Sequence, residues 1–408
     1  EVKNQMSQMI LAASTQRTIG VVIASVVAVG FLVYLLFSFR IGKKEIGSEI
    51  DIAANRKPHA DDDELETRKL DSHLGWSLVT LAAISIILPL YWLMEPARQE
   101  NAEYGWVKRF EKRGAAEYEE ACAGCHGPEG VGGVTSFTLT DSDGGFVAQV
   151  DWKAPALTTV LSRFDESEVT HILNYGRGGS PMPAWGLPGG GPLTKQQIHQ
   201  LVVYLRSIQL DQEEVIAEVN SGLTVGARVI VAAANSELSA DEIDAAVQAW
   251  LEEASQPESE NYLVYGELLF NNSAAQGANS CARCHTPGFS YGAVDAERTE
   301  ELLTEWPKLE ESGVLTGWQP GKGAIGPSLD GVTAHFPTPA GQEGFIHSGS
   351  EVGVSYGNAR SGTGGMPGFG SRVDNDLTDR ETGASITYSQ LYTPEQIAAI
   401  VAYERSLG

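Results

Sequence analysis

The chain has 408 residues, 42% hydrophobic and 20% charged, enough for two or three folded domains. Its 28 basic against 53 acidic residues leave a net charge of −25, which excludes a binder of nucleic-acid phosphates. Four cysteines in this length exclude a disulfide-stapled scaffold, and the apolar fraction excludes a disordered chain despite 45 glycines.

Thr18 to Phe39 is an uncharged, mostly apolar run of 22 residues, long enough to cross a bilayer as a helix. It ends Phe37-Ser38-Phe39-Arg40 rather than in the small residues of a cleavage site, so it is expected to be retained. Leu74 to Met94 is a second uncharged run, of 21 residues, with Trp76 near one end and Tyr91 and Trp92 near the other. Pro89 lies one turn from the end of that run, where a kink costs few backbone hydrogen bonds. The loop between the runs carries Arg40, Lys43, Lys44, Arg56, Lys57, Arg68 and Lys69, against Lys3 and Arg17 before the first. The positive-inside rule makes loop 40–73 cytoplasmic and puts everything after Met94 outside. Residues 1–96 hold a net −2 and the remainder −23, so the acidity belongs to the external part.

All four cysteines fall in two identical frames, Cys122-Ala-Gly-Cys125-His126 and Cys281-Ala-Arg-Cys284-His285. Cys-x-x-Cys-His is the attachment pattern of c-type haem. Two thiols three residues apart at a helix start can each form a thioether to a porphyrin vinyl group, and the next imidazole reaches the iron. A zinc site or a thioredoxin-like pair would not place histidine next to the second cysteine both times.

Each iron then needs a sixth ligand. Met182 and Met366 are the only methionines beyond Met94, one after each motif. Both stand in Gly/Pro-rich segments, Gly179-Ser-Pro-Met182-Pro183 and Gly364-Gly-Met366-Pro367-Gly368, which are poor core positions. His171 and His199 fall on predicted polar helix faces, whereas His335 and His347 compete with Met366 for the second iron.

The ends of the two units also repeat. Thr194-Lys-Gln-Gln197 and Thr393-Pro-Glu-Gln396 are capping boxes, each followed by apolar residues at helical spacing and a Tyr-x-Arg-Ser close. The motifs are offset by 159 residues and the closing helices by 199, so the second unit carries 40 extra residues.

With these elements in place, each half resembles a class I cytochrome c, over roughly residues 110–210 and 260–408. The resemblance implies two covalently bound haem c groups, attached at Cys122, Cys125, Cys281 and Cys284, with His126, Met182, His285 and Met366 on iron. It also implies a proline whose carbonyl orients the ligand histidine. Pro327 in Gly-Pro-Ser-Leu fits that element well, and Pro155 in Ala-Pro-Ala-Leu fits it more loosely. The opening helices are expected at Gly114–Glu120 and Tyr262–Asn271. Arg177 and Arg360, just before the methionines, are candidates to pair with haem propionates.

The expected fold is mainly α, with two N-terminal transmembrane helices followed by two class I cytochrome c-like helical domains. The divisions are an anchor over 1–96, the first haem domain over 97–210, an acidic helical connector over 211–258 and the second haem domain over 259–408. Within the connector, Ser239-Ala-Asp-Glu242 opens a helix over Ala240–Ala254, on what is either a spacer or a docking surface. The glycine-rich stretches Gly130–Gly145 and Gly341–Gly365 read as loops.

A haem with both axial positions filled has no substrate site, so the resemblance implies an electron-transfer subunit in a bacterial cell membrane. Two kinds of subunit are similar: the dihaem cytochrome cc subunit of actinobacterial-type bcc complexes and the dihaem subunit of cbb3-type oxidases. Leu90–Gln99 resembles the former, though that subunit carries its span at the C-terminus. The two N-terminal spans and Met182-Pro-Ala-Trp185 resemble the latter. The implied partners are cytochrome b and a Rieske iron–sulfur subunit, or a haem–copper oxidase. A dihaem peroxidase is the reading of another class, and it needs an open iron site.

Overall fold

A computed structural model of the chain describes residues 22–23, 25–27, 29–37, 40, 69–292, 296–350, 365–378 and 385–408. Two compact bodies divide it, residues 1–98 and 99–408. Helix α1 (Ser25–Phe37) belongs to the first, and α2 (Leu70–Ala121) runs from the first into the second.

The apolar span of α2 is bare. From Leu74 to Met94 every side chain is exposed, Trp76 at 71% and Trp92 at 74% among them. Its polar groups turn inward on the helix itself: Ser77 Oγ donates to His73 O and Thr80 Oγ1 to Trp76 O, both at 2.8 Å. This helix is long and apolar enough to cross a membrane, and its uncovered apolar surface suggests membrane anchoring. Pro89 and Pro96 both lie inside α2, which continues through them. The expected short opening helix at Gly114–Glu120 is therefore no separate element; it is the last two turns of this 52-residue helix.

The second body contains two helical repeats. In the first, the end of α2 is followed by α3 (Ala123–His126), strands β1 (Gly133–Thr140) and β2 (Phe146–Ala154), α4 (Val160–Arg163), α5 (Glu166–Tyr175) and α6 (Lys195–Ser207). Two helices follow, α7 (Gln212–Ala234) and α8 (Ala240–Ala254). The second repeat opens with α9 (Tyr262–Phe270), the single turns α10 (Ala274–Gly277) and α11 (Ala282–His285), then α12 (Ala296–Glu305) and α13 (Lys308–Glu311). It continues with α14 (Val332–His335), α15 (Pro339–Ser348), strands β3 (Arg372–Thr378) and β4 (Ser385–Tyr388), and closes with α16 (Pro394–Ser406). The closing helices begin on complete capping boxes, Thr194 with Gln197 and Thr393 with Gln396, which satisfy two of the orphan N–H groups at each start.

In each repeat the opening helix crosses the closing helix at a glycine. A Cβ on Gly114 would stand 2.0 Å from Gln200 O, and one on Gly266 would stand 2.2 Å from Ala399 O. Beside each crossing an aromatic pair packs, Tyr118 with Tyr204 at 5.2 Å and Phe270 with Tyr403 at 5.3 Å.

The stretch Gly130–Gly145 is not a loop. Half of it is β1, paired antiparallel with β2 from Gly133↔Ala154 to Thr140↔Phe146. Asp141 closes the turn by accepting from the N–H groups of Asp143 at 3.0 Å and Gly145 at 2.6 Å. Phe137, Leu139, Val150 and Trp152 of this hairpin pack on Tyr291, Leu302, Leu309 and Leu315 of the second repeat. The second hairpin crosses the other way: Ile386 and Tyr388 join the first repeat's core, and Arg372 Nε donates to Leu161 O at 2.8 Å. Each repeat thus finishes its neighbour's core. The other glycine-rich stretch contains most of α15, and its residues 351–364 lie outside the described residues.

Residues 211–258 form no solvated spacer. Val215, Val219 and Leu223 of α7 are buried in the second repeat's core, and Asn272 Nδ2 donates to Val219 O at 3.0 Å. Helix α7 is also long and apolar enough to cross a membrane. Its buried stripe at four-residue spacing, continued by Ala227 and Val231, makes it a core helix instead.

Candidate functional site

Both Cys-x-x-Cys-His motifs fold alike. In each, the first cysteine's carbonyl receives the N–H of the second cysteine and of the histidine: Cys122 O at 3.1 and 2.9 Å, Cys281 O at 3.1 and 3.0 Å. One helical turn places both thiols and the imidazole together, and neighbouring segments hold the turn. Tyr118 Oη donates to Gly127 O at 2.7 Å, and Tyr392 Oη to Asn279 O at 2.8 Å.

The imidazoles are oriented identically. His126 Nδ1 lies 2.8 Å from Pro155 O, and His285 Nδ1 lies 2.8 Å from Pro327 O. With Nδ1–H donating to a carbonyl, Nε2 is left with its lone pair for a metal. Burial lowers the pKa of both rings and keeps them neutral, the form that ligates. Gly326 allows the second contact: a Cβ there would meet the His285 ring at 2.8 Å.

A redox-active dithiol would show a lowered thiol pKa. The reverse holds here, since burial pushes Cys122 up to about 12 and Cys281 upward as well. All four cysteines are free.

The two motifs open on one cavity. Cys122, Cys125, His126 and Met182 line it together with Cys281, Cys284, His285 and Met366. Its space is about 1600 Å³, counted with the open mouth. Leu157, Val160, Phe164, Leu173, Trp185, Leu201 and Phe369 make most of the wall apolar. Met182 packs on the first repeat's core and Met366 on the second's. Among the described residues, His126 and His285 are the histidines that line it. His199 is exposed and edge-on to Phe110, His171 stacks on Tyr175, His335 is exposed, and His347 packs against Gly370.

Three guanidinium groups stand around this apolar space. Arg177 lines it and lies over the Phe164 ring at 5.2 Å. Arg163 also lines it; its Nη1 donates to Ala278 O at 2.6 Å, while its buried Nε meets no acceptor among the described residues. Arg283, inside the second motif, reaches back to the first repeat and donates to Lys153 O at 3.0 Å. Burial, together with repulsion from Arg177, holds Arg163 and Arg283 down to about 10, so these two stay charged at neutral pH. No carboxylate stands within ion-pair distance of any of them among the described residues.

Half-buried cations without counter-ions, facing an apolar space, call for an anionic ligand. An apolar cavity with paired thiols, neutral imidazoles, thioethers and three guanidinium groups that have no carboxylate partner among the described residues fits haem c, a flat apolar ring bearing two carboxylates. Arg360 lies outside the described residues. Arg163 and Arg283 escape the sequence reading: Arg283 is visible as the variable residue of its motif, but nothing near Arg163 announces contact with a segment 115 residues away.

Residues 110–205, the first repeat from the end of α2 through most of α6, match the family model for cytochrome c oxidase, cbb3-type, subunit III. No curated protein and no solved structure matches the chain significantly. The matched stretch holds the first Cys-x-x-Cys-His turn, the Pro155 contact and Met182 in the arrangement described above. Residues 110–205 are therefore a cytochrome c domain, and a domain of that kind carries covalently bound haem c.

Proposed function

We propose that the chain is a membrane-tethered dihaem cytochrome that relays single electrons in a respiratory chain. The observation that carries this reading is the single apolar cavity onto which both Cys-x-x-Cys-His turns and both distal methionines open. On this reading Cys122 and Cys125 attach one haem and Cys281 and Cys284 the other, with His126 and Met182, and His285 and Met366, as axial pairs. Pro155 and Pro327 hold the imidazoles, and Arg163, Arg177 and Arg283 hold the propionates. A haem c with both axial positions filled exchanges one electron through its edge and supplies no substrate site. Met182 and Met366 together disfavour the peroxidase alternative, which needs an open iron.

Tethering replaces diffusion with a high effective concentration near the partner. The proposed location is a bacterial inner membrane, with two spans, loop 40–73 cytoplasmic and the haem repeats outside. The acidic external part favours a partner with a basic docking patch, reached more slowly as salt rises. The complex we propose is a quinol-oxidising bcc complex, with the chain as its cytochrome cc subunit between a Rieske centre and a terminal oxidase. The second reading, electron-input subunit of a cbb3-type oxidase, is favoured by the family match over residues 110–205.

Solubilising native membranes in mild detergent separates the two readings. Haem b and a Rieske protein travelling with the chain are expected for the first. Haem b and copper without a Rieske protein would instead establish the second.

The ligand pairs make a spectroscopic prediction. The oxidised protein is expected to show the near-infrared sulfur-to-iron band, and Met182→His is expected to lower the midpoint potential of one haem only. Absence of the band, or an unmoved potential, would remove Met182 from the iron.

A further inference from the structure

The closing helices α6 and α16 repeat at an offset of 199 residues, and the buried Ile198, Leu201 and Val202 of the first have the buried counterparts Ile397, Ile400 and Val401 in the second. Where α6 places Leu205, which lines the shared cavity, α16 places Glu404, only 3% exposed. Glu404 continues the buried face of Ile397, Ile400 and Val401, which share one core with Cys281. Its carboxyl accepts from Gln342 Nε2 at 2.8 Å, and Gln342 is itself buried. Arg405 Nη1 donates to the other end of that amide at 3.3 Å and to Phe336 O at 2.8 Å, so the nearest cation reaches Glu404 through Gln342.

The other titratable and charged groups on the packed elements are few. Helix α9 brings Tyr262, Tyr265 and Glu267, the last 3.5 Å from Tyr403 Oη. Helix α15 brings Glu343 and His347, α14 brings the exposed His335, and α16 itself brings Tyr403, Arg405 and, at its far end, the exposed Glu395. The charge of Glu404 bears on the Cys281 sulfur and on Tyr403. Burial pushes the Glu404 carboxyl up to about 7, against the opposing effect of the Gln342 bond. A buried acid therefore titrates near neutrality behind one motif, while the matching position behind the other motif is a leucine.

We infer that Glu404 couples the second haem site alone to a proton. One electron arriving there is accompanied by uptake of one proton from water at the Glu404 carboxylate, and its departure by release of that proton. This rests on the dihaem reading above. The relay's one-electron donor and acceptor supply and remove the electron, so charge and atoms balance. The cause is electrostatic: a site that becomes more negative on reduction opposes a nearby carboxylate in a low-dielectric interior and so favours its protonation. Above neutral pH the ionised Glu404 favours the oxidised state and lowers the second potential. Leu205 gives the first site no such group.

The test is a potentiometric titration of the full-length chain in detergent, from about pH 5.5 to about pH 9, bracketing the ordinary carboxyl and histidine ranges on their neutral side. Met182→His identifies the first of the two components. In the wild type, the second component is expected to fall through neutrality by up to tenfold in its oxidised-to-reduced ratio per pH unit, about 59 mV for one electron. Glu404→Gln and Glu404→Leu are expected to remove that slope, raise the second component at alkaline pH and leave the first unmoved.

A pH-independent second component in the wild type would overturn the inference without any variant. So would a slope that survives both substitutions, which would leave Glu404 a structural hydrogen-bond acceptor. Haem content separates the two failures. Two haems per chain without the slope would sink this inference alone, whereas one haem per chain would sink the dihaem reading and this inference with it.

Discussion

Replacing Gly114 or Gly266 with alanine is expected to destabilise the repeat that carries it by about 3 kcal/mol or more, and valine to prevent its folding. The new Cβ would stand 2.0 Å from Gln200 O at the first crossing and 2.2 Å from Ala399 O at the second. Beyond those carbonyl groups the next obstacles are again fixed atoms, Tyr204 Cβ at 2.8 Å and Tyr403 Cβ at 3.0 Å. No rotamer change relieves a clash with a carbonyl and a Cβ, so the helices must separate. Separation opens the cores that contain Tyr118, Leu201 and Leu205 on one side and Phe270, Ile400 and Tyr403 on the other. Gly344 supplies the opposite sign. It is an exposed residue of α15 with nothing within 4 Å of a Cβ, so Gly344→Ala is expected to gain up to about 1 kcal/mol from helix propensity. Thermal unfolding of the three alanine variants measures all three effects. A Gly114→Ala or Gly266→Ala variant as stable as wild type would mean the helices do not cross there.

The double substitution Cys281→Ser and Cys284→Ser is expected to halve the covalent haem content, from two per chain to one. The thioethers need sulfur, and nothing else among the described residues near that turn offers a thiol, because the remaining cysteines are Cys122 and Cys125. On the proposed reading the haem that remains is the one held by His126 and Met182, and its site is expected to feel the loss. Arg283 and Arg163 bind the two repeats together around the cavity, and the hairpins of each repeat complete the core of the other. The midpoint potential of the remaining haem is therefore expected to shift, which a titration of the double variant against wild type reads directly. Haem content by pyridine haemochrome checks the first expectation. Two haems retained, or none retained in a folded chain, would overturn the assignment of one haem to each motif.

Sequence spacing alone carried the motifs and the capping boxes, because each is a local device, whereas Pro155 and Pro327, 29 and 42 residues from their histidines, came from the resemblance to class I cytochromes c. Cys281 to His285 is one helical turn, and Thr393 caps its helix by accepting from the N–H three residues on. The apolar run Leu74–Met94 was equally legible, since membrane spans declare themselves by composition over about 20 residues. Some local signals were present and passed over. Val134, Phe137 and Leu139 among threonines and serine, closed by Asp141-Ser-Asp-Gly, describe a strand and turn that the glycines obscured. Asp211-Gln-Glu-Glu214 is a capping box for α7, with Val215, Val219 and Leu223 behind it at four-residue spacing.

Other features had no local signature. The β1–β2 hairpin packs on Tyr291 and Leu302, the β3–β4 hairpin on the first repeat, and Arg163 donates to Ala278. No window of the sequence joins residues more than 100 positions apart, so the merging of two motifs onto one cavity appears only in three dimensions. By itself the sequence determined what each motif can bind, where the chain is apolar enough to anchor, and which segments repeat. Tertiary structure decided that the repeats share cores, that Arg163, Arg177 and Arg283 meet around one cavity, and that Glu404 stands buried where its counterpart is Leu205. Local patterns follow from the chemistry of a few neighbouring residues. Burial and charge proximity depend on which distant segments pack together.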